Sequence, residues 1–282
     1  MLTTSMNFKI TTLVENTVAQ SGKALLGEHG LSFFIEAGYG KILFDTGQNL
    51  AISNNARVLG IDLTQIDAVV LSHGHYDHSG GLQSILESNK SFTLHGHPDV
   101  FSPKVKKNKE NYKYIGIPVE KNDIVNRGIT LKLGRDPVKI APGVMTSGEI
   151  ALENDFEDVE PMFFLKKDKE VIPDTLADDQ ALILDTDQGL VVLLGCSHRG
   201  VINTLQHVAH LKGTAKIHAI LGGLHLAKAS DGKLAKIIDH LWGFGLEMAG
   251  VGHCTGPRAF LALANEFKDR VFLNTVGKVI EF

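Results

Sequence analysis

Three histidines and one aspartate fall within the seven positions of "SHGHYDH", residues 72 to 78, directly after the apolar run Ala68, Val69, Val70, Leu71. Imidazoles and carboxylates bind metals when deprotonated. In an extended segment residues two apart point the same way, so His73 and His75 can hold one ion between them, with Gly74 leaving room. Where the chain turns into a following helix, Asp77 and His78 point elsewhere and can serve a second ion. This donor set suits Zn, with Mn or Fe as alternatives. Two divalent ions would lower the pKa of a water and polarise the bond it attacks, with Asp77 as ligand and as the catalytic group that holds that water.

Further groups of this kind lie later in the chain. Cys196 and Cys254 are the only cysteines, too few for a disulfide framework. They read either as small buried thiols or as reactive neighbours of the histidines in "GCSH" and "GHCTG". Arg199 opens a helical pattern whose free amides would favour a phosphate or carboxylate. His225 in "GGLHL" follows a strand and reads as a group that meets substrate or supports a ligand, with direct ligation as the alternative, and Thr255 beside Cys254 is a further substrate-binding candidate. Asp178 and Asp179 divide between turn chemistry and a substrate-facing loop. His95 and His97 lack the Asp-His extension and read as structural, while His207, His210 and His240 fall on helical patterns.

The elements that must position these groups alternate along the chain. "FKITTLV" (8 to 14), "LSFFIEAG" (31 to 38) and "KILFDTG" (41 to 47) read as antiparallel strands joined by short turns. A helix over 49 to 59, a buried strand over 68 to 72, a short helix over 80 to 88 and a strand over 92 to 96 follow. A second half opens with a hairpin, 180 to 187 and 189 to 197, turned by Asp187, Gln188 and Gly189. Helices over 200 to 213, 233 to 244 and 257 to 267 then alternate with strands over 216 to 223 and 248 to 252, before closing strands after residue 271. Two such halves predict an α/β (α+β) architecture of two mixed sheets flanked by helices.

Two stretches interrupt the pattern. Residues 99 to 137 gather Lys104, Lys106, Lys107, Lys109 and Lys113 among few apolar residues, and 151 to 179 are acidic and broken by Pro161 and Pro173. Both read as surface excursions able to form a lid, the first offering lysines to an anionic substrate. Phe163, Phe164, Tyr112 and Tyr114 in these stretches read either as stacking surfaces for a substrate or as packing residues.

With 43% hydrophobic and 21% charged residues, the 282-residue chain is of ordinary globular composition. A formal charge of −4 provides no basic field for nucleic acid. No apolar run approaches the ~20 residues of a membrane helix, and "MLTTSMNFKI" has no secretory pattern. The expectation is a cytoplasmic protein with a small-molecule anionic substrate, as a monomer or homo-oligomer.

His73-Gly74-His75-Tyr76-Asp77-His78 resembles the H-x-H-x-D-H signature of the metallo-β-lactamase superfamily. The resemblance covers nearly the whole chain and implies a single domain over 1–282, a four-layer αβ/βα sandwich with the site at one edge of the sheets. It implies that Asp45 in "LFDTG" braces the site and that His253 in "GVGHCTG" is the last ligand of the second metal. Where the commoner pattern has a bridging aspartate after a strand, this chain has Cys196, and no histidine stands in "APGVMTSGEI" (141 to 150), which offers Ser147 and Glu149. His198 then supplies the missing imidazole or caps its helix, and a thiolate at Cys196 could ligate. "GCSHRGVIN", "GGLHL" and "HCTG" together resemble one branch, described as dihydropterin-ribofuranosylaminobenzene phosphate synthases. The expected function is dinuclear metal hydrolysis of a small phosphorylated substrate. The alternatives are a synthase-type transfer and a non-catalytic metal or ligand sensor.

Overall fold

The computed structural model describes residues 7–19, 22–168 and 170–282; the first six residues of the stretch read as lacking a leader lie outside them. The first half builds β1 (Phe8–Val14), β2 (Ser32–Ala37), β3 (Gly40–Phe44), α1 (Ala51–Leu59), β4 (Ala68–Val70), the single-turn α2 (Tyr76–Ser79), α3 (Leu82–Ser88) and β5 (Thr93–Gly96). Next come β6 (Lys104–Asn108), β7 (Asn111–Tyr114), α4 (Lys121–Asn126), β8 (Thr130–Leu133), β9 (Lys139–Ala141), β10 (Val144–Thr146), β11 (Phe163–Lys167) and β12 (Glu170–Pro173). The remainder comprises β13 (Leu182–Thr186), β14 (Gly189–Leu194), α5 (Val201–Lys212), β15 (Ile217–Gly223), α6 (Asp231–Trp242), β16 (Met248–Gly252), α7 (Pro257–Phe267), β17 (Val271–Leu273) and β18 (Val279–Glu281).

The strands form two seven-stranded mixed sheets, β18-β1-β2-β3-β4-β5-β8 and β17-β16-β15-β14-β13-β10-β9. Strand periodicity explains the layering, because successive side chains face opposite ways. Phe33, Ile35, Val191 and Leu193 fill the core between the sheets. Phe34 of β2 instead joins the layer with Ile52, Leu82 and Ile85 of the first sheet's helices, while Val192 and Leu194 of β14 meet Leu205, Ile237 and Leu263 of α5, α6 and α7. The result is the four-layer sandwich, helices outside and two mixed sheets within. No helix among the described residues is long and apolar enough to cross a membrane.

Three sequence expectations are corrected. The two stretches read as surface excursions build a third sheet, β12-β11-β6-β7, and the first also supplies β8 to the edge of the first sheet. Lys104, read among solvated lysines, is 1% exposed, because Asp174 and Asp178 each accept a hydrogen bond from its ammonium at 2.8 Å. The β1–β2 link is not a short turn: it spans residues 15 to 31 and brings side chains to the site. The closing strands join different sheets, β17 beside β16 and β18 beside β1.

Candidate metal centre

In both mixed sheets the parallel strands β3, β4, β14, β15 and β16 end on the same side of the sandwich, and each hands over to a residue with ligating chemistry. Asp45, Ser197, His225 and His253 follow these ends with φ of 61°, 58°, 52° and 49°. Non-glycine residues rarely adopt this left-handed region, and such strain is concentrated at functional sites. Close packing of the ends also accounts for two glycines. A Cβ at Gly195 would lie 2.2 Å from the Ser72 hydroxyl, and one at Gly74 would lie 2.0 Å from the Val100 carbonyl oxygen. Gly74 therefore admits the backbone of the 98–101 turn, rather than merely separating two imidazoles.

The donor atoms gather in two adjoining sets. His73 Nε2 and His198 Nε2 lie 3.0 and 3.1 Å from His75 Nδ1. His253 Nε2 lies 3.1 Å from His78 Nε2 and 3.4 Å from Asp77 Oδ2. Cys196 Sγ stands between the sets, 3.1 Å from His78 Nε2. A single turn of helix accomplishes the split: His75 caps α2 in extended conformation, and Asp77 and His78 ride on it.

The electrostatics favour cations. Burial, reinforced by neighbouring histidines and, at His73 and His75, by Lys104, holds His73, His75 and His198 well below the ordinary imidazole range, in the neutral form that ligates. Burial opposes ionisation of Asp77, but His78, His253 and His29 outweigh it and keep the carboxyl well below its usual range. Burial also opposes charge on His78, yet Asp45 and Asp77 raise it to about 9. The carboxylates that favour a proton there would favour a divalent ion for the same reason.

Outer partners fix the rings. Asp45 takes the Ser72 amide and hydroxyl at 2.7 Å each and lies 2.6 Å from His78 Nδ1. Asn16 places its Oδ1 3.0 Å from His253 Nδ1, and Glu15 accepts the His253 amide. Asp178, held by Lys104, accepts the Gly74 amide at 2.8 Å. Asp178 and Asp179 thus face inward, the latter accepting the Arg199 amide at 2.9 Å.

Seven sequence candidates converge here: His73, His75, Asp77, His78, Cys196, His198 and His253. His225 reaches the rim, its ring centroid 4.3 Å from that of His198. The expectation for Arg199 changes. The Ile202 and Asn203 amides at the start of α5 donate to Glu157 at 3.0 and 2.8 Å, so an internal carboxylate occupies the place foreseen for an anion. The Arg199 guanidinium donates to the Thr175 carbonyl. Thr255 is buried and its hydroxyl accepts the Leu224 amide. Ser147 and Glu149 sit elsewhere, the former accepting the Ala181 amide and the latter paired with Arg135.

The centre opens onto a cavity of roughly 580 Å³ lined by, among others, Tyr76, Phe163, Lys106, Lys107, Lys113 and Lys228. Phe163 packs 5.1 Å from the His75 and His198 rings. Of the other aromatic candidates, Tyr112 and Phe164 stack on each other, and the Tyr114 hydroxyl donates to the Ile117 carbonyl. His29, Asn16 and Tyr76 were not singled out from sequence. His29 lies 3.2 Å from Asp77 Oδ2, brought by the β1–β2 link, and no local pattern marks it.

A family model described as the metallo-beta-lactamase superfamily matches residues 26–198. A Methanocaldococcus jannaschii protein named 7,8-dihydropterin-6-methyl-4-(beta-D-ribofuranosyl)-aminobenzene-5'-phosphate synthase is 34% identical, over 98% of this chain and 97% of its own. An uncharacterized protein of the same organism is 33% identical over 95% of this chain and 98% of its own. Among solved structures, Tm1679, described as a metal-dependent hydrolase of the beta-lactamase superfamily, superposes with a TM-score of 0.84 at 30% identity, covering 98% of this chain and 99% of that one.

Proposed function

The chain belongs to the metallo-β-lactamase superfamily, and from that premise we propose that it is a dinuclear metal hydrolase of small phosphorylated molecules carrying a flat ring. The observation that carries this reading is the meeting of six His and Asp donors, of which His75, Asp77, His198 and His253 line a cavity whose walls hold four lysines and two aromatic rings. His73, His75 and His198 would hold one ion, and Asp77, His78 and His253 the other. Zinc suits this nitrogen-rich set best, and Mn or Fe share its preference. Ions so held supply Lewis acidity and a water of lowered pKa.

The chain's own groups do the rest. Asp77 orients the water through its carboxylate. Lys106, Lys107, Lys113 and Lys228 neutralise a phosphate, and Tyr76 and Phe163 bound the ring on the same wall. The third sheet, bearing Lys106, Lys113 and Phe163, forms that wall and restricts water. His225, at the rim, meets the substrate rather than an ion of this pair.

The 34% identical relative favours a second reading, in which the same cavity joins a phosphorylated aromatic amine to the 6-methylene of a dihydropterin activated as its diphosphate, with diphosphate leaving. One experiment separates them. Metal-loaded protein is given bis(4-nitrophenyl) phosphate in one arm, and in the other 6-hydroxymethyl-7,8-dihydropterin diphosphate with 4-(β-D-ribofuranosyl)aminobenzene 5'-phosphate. Hydrolysis of the diester that chelator abolishes and zinc restores supports the hydrolase. Condensation without diester cleavage overturns it in favour of the synthase. Binding of either ligand without turnover overturns both in favour of a sensor.

A further inference from the structure

Beside the six His and Asp donors lies a second cluster of different chemistry. Cys196 Sγ, Cys254 Sγ and a ring nitrogen of His225 lie within 4.8 Å of one another. They follow the ends of three consecutive parallel strands, β14, β15 and β16, whose register sets Leu194 beside Gly222 and Gly222 beside Val251. The juxtaposition is therefore held by sheet hydrogen bonds rather than by a loop.

Three features mark the cluster as a built site. Gly223 clears space for sulfur, since a Cβ there would lie 2.6 Å from Cys254 Sγ. Glu160 stands 3.5 Å from His225 Nε2, the outer carboxylate that orients many ligating imidazoles. His225 Nδ1 is buried and has no hydrogen-bond partner in the protein, although buried ring nitrogens normally find one. All three residues also line the cavity.

Two thiolates and one imidazole form a soft donor set that selects thiophilic cations over Mg, Ca or Mn. Three protein ligands with the fourth side open to a cavity is the arrangement of catalytic rather than structural zinc. We propose that Cys196, Cys254 and His225 form a binding site for a thiophilic cation that adjoins the His and Asp centre at Cys196, with its free position facing the substrate cavity. Cys196 then serves this cation, although its sulfur also touches His78. The proposal goes beyond the hydrolase reading and does not require it.

The test is cadmium titration of the protein as isolated, kept reduced with a phosphine. Thiolate-to-cadmium absorbance is followed in the ultraviolet, and bound metal is counted by elemental mass spectrometry. The expected result is one added cadmium per chain with the absorbance of two thiolates. Cys254→Ser should leave half the band or less, and His225→Ala should weaken cadmium binding by more than the roughly 10–100-fold that losing an outer partner costs. His75→Ala, which strikes the His and Asp centre alone, should keep the band. Absence of a thiolate band overturns the proposal. So does a band unchanged by Cys254→Ser, which would assign the sulfur signal to Cys196 within the other centre, or a band lost in His75→Ala. If the dinuclear reading alone fails, metal content falls short of two at the His and Asp centre while the cadmium band and its Cys254 dependence remain.

Discussion

The imidazole of His253 has two nitrogens, and Asn16 bears on which of them faces the cavity. Its Oδ1, 3.0 Å from His253 Nδ1, accepts a hydrogen bond from the N–H there, which leaves Nε2 with a lone pair toward Asp77 and His78. The same side chain donates to the His253 carbonyl and accepts the Gly30 amide, so it also ties the β1–β2 link to the end of β16. Asn16→Ala should weaken one of the two ions by roughly 10–100-fold, the usual cost of an outer partner, and spare the other. Asn16→Asp, which keeps the acceptor, should retain both. Competition against a chromogenic chelator reads the two affinities separately, and equal affinities in Asn16→Ala and the parent would show that something else fixes the ring. The contrast with His73, His75, Asp77 and His78 shows what sequence can reveal. Those four lie within six residues, so their spacing is itself the signal. Asn16, His29 and Glu15 reach the centre through folding of a long link, and a lone Asn or His in such a segment looks like any turn residue.

At the scale of the element, β5 carries a buried base into the first sheet, one strand in from its β8 edge. His95 pairs with Val70 on one side and Lys132 on the other, and its Nδ1 is buried without a partner. Burial, then the nearby Lys132, lower its pKa to about 4. In the unfolded chain an imidazole titrates near 6.5. Between those values the unfolded state binds the extra proton, so stability is complete above about pH 6.5 and falls as pH drops toward 4, by on the order of 3 kcal/mol at most. His95→Gln should flatten this part of the profile. Urea unfolding at pH 7 and pH 4.5 checks it: acid loss of metal affects parent and variant alike, so the difference between their slopes isolates His95. Identical slopes would place the acid sensitivity elsewhere. Most strands and helices of the two main sheets were legible because they alternate or repeat with clear periods, whereas the short strands β8, β9 and β10, three or four residues each, were not. The third sheet was not, because β6 and β7 cover a polar cavity and expose their other face, leaving Val105 as β6's one buried apolar residue and none on β7. Lys104 hid in that stretch as one more lysine, although its ion pairs with Asp174 and Asp178 make it a buried post under the Gly74 loop.

Considered as a whole, the molecule carries a formal charge of −4, which would repel an anionic substrate if charge were spread evenly. It is not: Lys106, Lys107 and Lys113 on the third sheet line one cavity together with Lys228, which also lies 3.9 Å from Glu160. A low-dielectric cleft lined by one sign of charge focuses the field and raises the local concentration of an oppositely charged ligand. The architecture explains the division of labour. The two main sheets deliver acceptors and thiols from their strand ends, while cations come from a sheet assembled out of the two interrupting stretches and from the loop after β15. Replacing Lys106, Lys113 and Lys228 together by Ala should therefore raise KM for 4-nitrophenyl phosphate by roughly 10–100-fold with a much smaller change in kcat, since steering and ground-state neutralisation are lost while the metal donors are untouched. The parent's kcat/KM should fall as salt rises from low to physiological strength, where the screening length shrinks to about 8 Å, and the triple variant should show little salt dependence. Steady-state kinetics at matched metal content measures both. A triple variant that kept the parent's KM and its salt slope would locate anion recognition on the ions themselves, and the third sheet would then be a wall that shapes the cavity without charging it.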